Sequence, residues 1–178
     1  MAIKATVFKA TLNIADMDRH YYGDHNLTLA RHPSENDERM MVRLLAFALN
    51  ASETLQFTRG LCADEEPELW QKNLHDEIEL WVDLGQPDER RIRKACARAT
   101  QVIIYSYQPR STAPWWQQLE SKLQRFNNLS VYQLPDKCAE QLATLAARNM
   151  QLHCIIQDGE VTLSSEQASV TLTPQRLK

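Results

Sequence analysis

The chain has 178 residues, of which 43% are hydrophobic and 24% are charged, and both values are typical of a globular protein. This length predicts a single domain spanning residues 1–178, because it suffices for one hydrophobic core and is short for two domains of ordinary size. The net charge of −3 argues against a protein that coats nucleic acid non-specifically, so any contact with nucleic acid requires a local basic patch.

The four cysteines are far apart and form no C-x-x-C pair, which argues against a zinc ribbon or a redox dithiol: Cys62, Cys96, Cys138 and Cys154. The last three lie among apolar residues, which indicates reduced, buried thiols in a cytoplasmic protein. The N-terminal segment lacks the pattern of a signal peptide. No apolar run approaches the ~20 residues of a membrane-spanning helix, so we expect no membrane association.

The N-terminal third predicts a β-hairpin followed by a helix. Residues 4–14 and 25–31 alternate in polarity as half-buried strands do, and a polar turn separates them. A helix is predicted from residue 34 to 50, because Ser34 can cap it and an apolar stripe follows at helical spacing. Glu38 lies in the first turns, where the helix dipole favours a carboxylate.

The centre of the chain predicts short strands around an acidic loop. A strand is expected at residues 54–58, the loop at 60–67, and a strand or a single turn at 68–72. The strand at 77–84 has two sets of alternating residues on opposite faces: Ile78, Leu80, Val82 and Leu84 on one, and Glu79, Trp81 and Asp83 on the other. Asp83 therefore stands near the carboxyl end of a strand, where open α/β sheets bind ligands.

The remainder alternates between helices and strands. Pro87 begins a helix that runs to residue 99, with Asp88 and Glu89 in its first turn. The later elements are predicted as follows: strand 101–107, helix 111–126 opened by Pro114, strand 129–134, helix 135–149, a hairpin of 150–157 and 160–164 turning at Asp158-Gly159, and strand 168–173. This order predicts an α/β fold with a βαβ core, whose central sheet the N-terminal hairpin makes mixed.

Three carboxylates are candidates for a metal site: Glu38, Glu68 and Asp83. Converging carboxylates repel one another unless a hard cation such as Mg²⁺ lies between them, and such an ion can activate water in phosphodiester hydrolysis. The alternative is structural, with Glu38 as a helix-dipole acid, Glu68 as a loop acid and Asp83 as a strand-end acid.

The helix after Pro87 is basic. Its cations fall into neighbouring groups at helical spacing, with Arg91, Arg93 and Lys94 as the phosphate-binding candidates. The alternative is a solvated face balanced by Asp88 and Glu89. The adjacent Trp115 and Trp116 indicate either a stacking surface or core packing.

Four long blocks resemble the YaeQ family of small bacterial proteins over essentially the whole chain: KATLNIADMDRHYY (9–22), LTLARHPSENDERMMVRLLAFAL (27–49), EPELWQK (66–72) and IELWVDLGQPDERRIRKAC (78–96). That family is similar to a divergent branch of the PD-(D/E)xK nuclease fold. The resemblance implies a mixed central sheet flanked by helices and a magnesium-dependent nuclease-type site.

Carried over by position, the resemblance implies that Pro67-Glu68 is the proline–acid pair, Asp83 the second acid and Glu38 the helix carboxylate. Gly85 stands where the family pattern has its lysine, and this departure places activity in question. The candidates to replace the lysine are Gln86, which can orient a water but is a poor base, and Lys94, which supplies charge.

We therefore expect a Mg²⁺-dependent nuclease or phosphodiesterase that acts on nucleic acid, with Glu68 and Asp83 as metal ligands. The alternative is a catalytically inactive nuclease-like domain that binds nucleic acid or a protein partner. A weaker alternative is a structural protein with Trp115 and Trp116 at an interface.

Overall fold

A computed structural model describes residues 4–59 and 65–178. The chain divides into two compact units, one of residues 1–52 and 137–173 and the other of residues 53–136 and 174–178. Each unit is thus built from two separate segments of the chain. The single domain predicted from chain length stays a prediction.

The described residues form eleven strands and four helices in this order: β1 (Thr6–Asp16), β2 (Tyr21–Arg31), α1 (Asp37–Asn50), β3 (Leu55–Phe57), β4 (Leu69–Lys72), β5 (Ile78–Leu84), α2 (Glu89–Arg98), β6 (Ala99–Ser106), α3 (Pro109–Leu123), β7 (Leu129–Gln133), α4 (Cys138–Ala143), β8 (Asn149–Gln157), β9 (Glu160–Ser164), β10 (Ser169–Leu172) and β11 (Gln175–Arg176). The mixed α/β class predicted from the sequence is confirmed. No helix of the described chain is long and apolar enough to cross a membrane.

The first unit contains a five-stranded sheet with the order β10-β9-β8-β1-β2. β1 and β2 form the predicted antiparallel hairpin, and β1 pairs in parallel with β8. Alternate side chains of β1 and β8, such as Leu12, Ile14 and Leu152, are buried, as expected of strands with one face on the core. The β8–β9 hairpin turns at Asp158 and Gly159, both with positive φ, as a type I′ turn requires.

The second unit contains a six-stranded sheet with the order β11-β7-β6-β5-β4-β3. β5, β6 and β7 are parallel neighbours joined through α2 and α3, so the predicted βαβ core is present. Its hydrophobic core includes Trp81 of β5, Ile92 of α2, Val102 of β6 and Leu123 of α3. This arrangement places the carboxyl end of β5 beside the beginning of α2.

The prediction that the hairpin extends the βαβ sheet is wrong. β1 pairs with β8 instead, in a register that joins Leu12 to Leu152, and the hairpin lies in the sheet of the first unit. The alternating pattern of a strand reports which face is buried but not which strand lies beside it. The pairing of β1 with β8 could therefore not be predicted from the local pattern.

The strict alternation predicted for β5 is also wrong. Ile78 and Trp81 belong to the same core cluster, although their spacing of three assigns them to opposite faces. The β4–β5 register shifts between Gln71 and Lys72, because a bulge adds one residue to β5 opposite this point. Ala99 of β6, which pairs with Ile78, belongs to the same cluster as Val102 at the same spacing of three.

All four helices begin at other residues than predicted, and α2 begins at Glu89 rather than at Pro87. Asn36 rather than Ser34 caps α1, and its side chain accepts a bond from the N–H of Arg39 at 2.9 Å. The hydroxyl of Ser34 is instead paired with the ring of His32 at 2.5 Å. α3 begins at Pro109, since the fixed φ of proline suits a first helical position, and Pro114 lies inside the helix.

α4 covers only Cys138–Ala143 of the predicted helix 135–149, because Asn149 already begins β8. Asp88 is the cap of α2, not a first-turn residue, and accepts from the N–H of Arg91 at 2.8 Å.

The thiols of Cys138 and Cys154 are buried and that of Cys96 is half-buried. Burial raises the pKa of Cys138 and of Cys96 to about 11 and that of Cys154 to about 12. These thiols are therefore protonated at neutral pH, consistent with the inert core thiols expected from the sequence. Cys62 lies outside the described residues.

Candidate active site

Asp83 is the penultimate residue of β5 and is only 3% exposed. Both of its carboxylate oxygens accept bonds from Arg91, with Oδ2 at 2.9 Å from Nε and Oδ1 at 3.0 Å from Nη2. This bidentate contact matches the planar guanidinium to the planar carboxylate and compensates the buried charge. Arg91 therefore positions Asp83, a role that the sequence analysis did not assign to it.

Arg91 reaches Asp83 because of the way α2 begins. Asp88 caps the helix through the N–H of Arg91, which fixes the first turn directly after the strand end. Nη2 of Arg91 also donates to the main-chain carbonyl of Glu66 at 2.8 Å. A single guanidinium thus connects β5, α2 and the segment that precedes β4.

Glu68 is 6% exposed and stands at the entry to β4. Its N–H donates to the carbonyl of Val82 at 2.9 Å, and its own carbonyl accepts from the N–H of Thr58 at 3.1 Å. Since Val82 immediately precedes Asp83 and is the partner of Leu69, the two acids lie at neighbouring positions of adjacent strands. The structure therefore places the main chains of these two residues side by side.

Gln86 lies in the connection between β5 and α2, after Gly85, whose φ of +83° is readily adopted only by glycine. Its Nε2 is 3.3 Å from the hydroxyl of Ser106 and 3.4 Å from that of Thr112. Both hydroxyls are fully buried and bonded to each other, and Thr112 also donates to the carbonyl of Gln108 at 2.9 Å. This network orients the amide of Gln86. The sequence analysis did not identify Ser106, because a hydroxyl at the end of an apolar strand is not by itself a signal of function.

Arg93 and Lys94 of α2 are paired with acids on the surface. Lys94 contacts the carboxylate of Glu65, and Arg93 contacts that of Glu89, one turn earlier on the same helix. The hydrogen bond and the charge of Lys94 hold the pKa of Glu65 below its usual value. The side chains of Arg93 and Lys94 remain 54% and 49% exposed, so both can still meet a ligand in solution.

The indole ring of Trp81 makes cation–π contacts with Arg91 and Arg98 of α2. The guanidinium of Arg91 lies 5.9 Å from the centroid of its ring and that of Arg98 lies 5.2 Å from it. Arg98 also donates to the carbonyl of Glu65 at 2.7 Å. Cation–π contacts on a buried indole stabilise the charged face of α2.

Glu38 lies in the first turn of α1 in the first unit, where Asn36 caps the helix. Glu68, Asp83, Gln86 and Lys94 all belong to the second unit. Within the described residues, no group of three or more His, Cys, Asp or Glu side chains is arranged to hold a metal ion. The pair Glu68 and Asp83 lies within the second unit, and the role predicted for Glu38 stays a prediction.

Trp115 and Trp116 both pack against the hydrophobic core of the second unit, with their rings 5.9 Å apart. Nε1 of Trp115 donates to the carbonyl of Pro87 at 2.8 Å, which ties α3 to the start of α2. Both side chains are half-buried. Core packing, one of the two alternatives for this pair, accounts for these contacts.

With this geometry in place, the relatives of the chain can be compared. The family model described as YaeQ protein matches residues 1–174. The chain belongs to the YaeQ family. It is 54% identical over 166 residues to YaeQ of Escherichia coli (strain K12) and of Shigella flexneri, covering 93% of this chain and 92% of each relative. The YaeQ resemblance of the four sequence blocks is confirmed.

Solved structures of the family have the same fold. The crystal structure of YaeQ from Xanthomonas axonopodis pv. citri superposes with a TM-score of 0.96 at 49% identity, covering 98% of both chains. That of YaeQ from Pseudomonas syringae has a TM-score of 0.93 at 33% identity, covering 98% of this chain and 96% of the other. The relation of the family to PD-(D/E)xK nucleases stays an expectation.

Proposed function

We propose that this YaeQ-family protein is a Mg²⁺-dependent phosphodiesterase of the nuclease type that acts on nucleic acid. The observation that carries the proposal is the neighbouring position of two buried acids, Glu68 and Asp83, at the end of β5. A cationic helix face begins directly beside them.

The donor set fits Mg²⁺ in type and in number. A carboxylate has about four lone-pair positions, so the bidentate contact of Arg91 leaves each oxygen of Asp83 able to accept one further interaction. Mg²⁺ uses one or two carboxylates and completes its shell with water and phosphate oxygens. Glu68 and Asp83 would hold the ion, which activates water or stabilises a leaving oxygen when bound.

The protein's own residues have separate roles in this proposal. Arg91 holds Asp83 in one orientation and balances its charge. The network of Ser106 and Thr112 orients Gln86, which hydrogen-bonds the attacking water in place of the absent lysine. Arg93 and Lys94 bind phosphate, since their present ion pairs are exposed and a surface pair contributes at most about 1 kcal/mol. The proposal does not depend on Glu38.

The test is cleavage of single- and double-stranded DNA and RNA by the purified protein with Mg²⁺, with Mn²⁺ and with EDTA. We expect Asp83→Asn and Glu68→Gln to lower the rate about a hundredfold or more, since even residues outside the ligand set commonly contribute 10–100-fold. Glu79→Gln is the matched control, because Glu79 lies on the same strand but bonds to Gln71. Cleavage that persists in EDTA, or an Asp83→Asn variant as fast as the parent, contradicts the proposal.

The second candidate is a catalytically inactive nuclease-like domain that binds nucleic acid or a protein. The observation that favours it is the bidentate Arg91–Asp83 contact together with Gly85 at the lysine position. A guanidinium beside Asp83 already compensates the charge that a metal would otherwise neutralise. Isothermal titration separates the two candidates: no heat with Mg²⁺ or Mn²⁺ at millimolar concentration, together with nucleic-acid binding in EDTA, supports the inactive domain.

A further inference from the structure

β2 is an unusually long and regular edge strand. It pairs with β1 through eleven consecutive residues without a register shift, and it is the last strand of its sheet. The other edge strands of the two sheets are short, with four residues in β10, three in β3 and two in β11. A long edge is a template for another strand unless the protein protects it.

The outward-facing main-chain groups of β2 follow from the pairing of β1. The N–H of Lys9 donates to the carbonyl of Arg148, and that of Met17 donates to the carbonyl of Ile156, so the odd-numbered residues of β1 face β8. The even-numbered residues face β2 and bond to the odd-numbered residues there, as in the pair Leu12 and His25. The even-numbered residues of β2 therefore direct their N–H and C=O groups away from the sheet.

Four of these residues form the open edge: Tyr22, Asp24, Asn26 and Thr28. The next even-numbered residue, Ala30, is not part of the open edge, because its carbonyl already accepts a hydrogen bond from Nη2 of Arg43 at 3.1 Å. In the part of the chain that the structure describes, no group bonds to the main-chain N–H or C=O of the four open-edge residues. Their side chains are exposed, and Tyr22 is 62% exposed.

The open edge carries few of the devices that prevent strand addition. Between residues 22 and 30 the strand has no proline and no lysine, and Asp24 is its one charged side chain if histidine is neutral. The regular register excludes a bulge within the pairing with β1. Natural proteins commonly use such features to block edge pairing, so an unprotected edge of this length indicates a surface that is covered by a partner.

We propose that the open edge pairs antiparallel with the open edge of a second copy of this chain, which joins two five-stranded sheets across a two-fold axis. The alignment that fits places Asp24 opposite Asn26 of the second copy and Tyr22 opposite Thr28 of the second copy. This alignment is isologous, so each contact occurs twice. It keeps the two Asp24 carboxylates apart, whereas like charges directly opposite destabilise a pair.

The side chains favour self-pairing in this alignment. Oδ1 of Asn26 accepts from the hydroxyl of Thr11 at 3.4 Å, which leaves its Nδ2 to donate to Asp24 of the second copy. Asp24 accepts from Nδ2 of Asn13 at 2.6 Å through Oδ1, so Oδ2 is available for that bond. An aromatic residue opposite a β-branched one, as for Tyr22 and Thr28, is a favourable cross-strand pair.

Four residues on each copy exchange about eight main-chain hydrogen bonds in this arrangement. The contact is narrow compared with a standard interface, so we expect a dimer that dissociates in the micromolar range. Sedimentation velocity over a dilution series of the full chain should show a species of twice 20.6 kDa that dissociates on dilution.

Asn26→Pro is the sharpest variant, because the N–H that it removes points outward and the β1–β2 ladder stays complete. We expect it to be monomeric with an unchanged circular dichroism spectrum. Asn26→Asp guards against a folding defect of the proline variant: it places two carboxylates opposite one another at each contact and should weaken the dimer about tenfold. Gln151→Asp adds the same charge to the exposed side of β8, away from the edge, and should leave the dimer intact.

Asn26→Lys tests the alignment itself. It places an ammonium opposite Asp24 of the second copy and should bind at least as tightly as the parent chain. A monomeric parent protein at the highest concentration, or a dimer that resists both Asn26→Pro and Asn26→Asp, overturns the proposal. Equal weakening by Asn26→Lys and Asn26→Asp overturns the alignment, and equal weakening by Gln151→Asp shows that the dimer does not use this edge.

Discussion

At the scale of single residues, the Asp83–Arg91 contact links stability to the candidate site. The side chain of Asp83 is 4% exposed, whereas that of Arg91 is 30% exposed. The loss of one partner therefore has a different cost for each residue. Arg91 without Asp83 can be hydrated, whereas Asp83 without Arg91 is a buried charge that has lost its cation. The same contact holds the carboxylate that we assign to the metal.

Arg91→Met should lower the free energy of unfolding by about 3 kcal/mol at neutral pH, because it leaves the buried carboxylate of Asp83 without its cation. Urea denaturation measures this loss. Arg93→Met is the control, since its partner Glu89 is nearer the surface, and we expect a loss below about 1 kcal/mol. Equal losses in the two variants contradict a special role for Arg91.

The buried thiols predict a loss of stability at alkaline pH. Burial raises the pKa of Cys154 from 9.0 to about 12, so the unfolded chain ionises first. The contribution of this thiol is present in full below pH 9 and is lost as pH rises from 9 toward 12, by at most about 1.4 kcal/mol per pH unit. Urea unfolding at a series of pH values should show this decline.

Cys154→Ala should make that decline shallower. Leu152→Ala is the matched control, because it removes core volume from the same strand but keeps the thiol. It should lower the free energy of unfolding at every pH without changing the slope. A Cys154→Ala variant with the slope of the parent contradicts the assignment of the decline to this thiol.

At the scale of elements, the start of α1 shows how a neighbouring side chain decides between two possible caps. Ser34 and Asn36 both belong to the residue types that favour a helix N-cap. The ring of His32 bonds to the hydroxyl of Ser34, and Asn36 takes the capping position two residues later. Glu35, between them, is buried and bonded to Arg43, which fixes the chain before the helix.

Asn36→Ala should therefore destabilise the protein by about 1 kcal/mol, the usual effect of removing a side-chain cap. Ser34→Ala is the control and should change the free energy of unfolding by less than about 0.5 kcal/mol, as exposed substitutions away from such features usually do. Thermal or urea unfolding of both variants measures the difference. The reverse order of effects would show that Ser34 caps the helix in solution.

At the scale of the whole molecule, the last residues of the chain return to the second unit. The N–H of Leu177 donates to the carbonyl of Val131 at 2.8 Å, and Leu177 packs against the core that contains Trp81. β11 pairs with β7 through Gln175 and Arg176. The C-terminal segment thus completes a sheet whose other strands lie between residues 55 and 133.

Leu177→Ala should lower the free energy of unfolding by about 2 kcal/mol and reduce the hydrogen-exchange protection of β7, since it removes a partly buried side chain from this core. Arg176→Ala is the matched control, because Arg176 immediately precedes Leu177 and is exposed. We expect it to leave the protection of β7 unchanged. Equal effects of the two substitutions would show that Leu177 adds no packing.

The sequence by itself determined the mixed α/β class, the βαβ order around α2 and α3, and the Asp158-Gly159 turn, because polarity periods and turn residues act over a few neighbouring positions. It also pointed to Glu68 and Asp83 through a family resemblance. Only the tertiary structure decided that β1 pairs with β8 and that Arg91 binds both oxygens of Asp83. These depend on which groups meet in space, and local patterns do not encode pairings between distant segments.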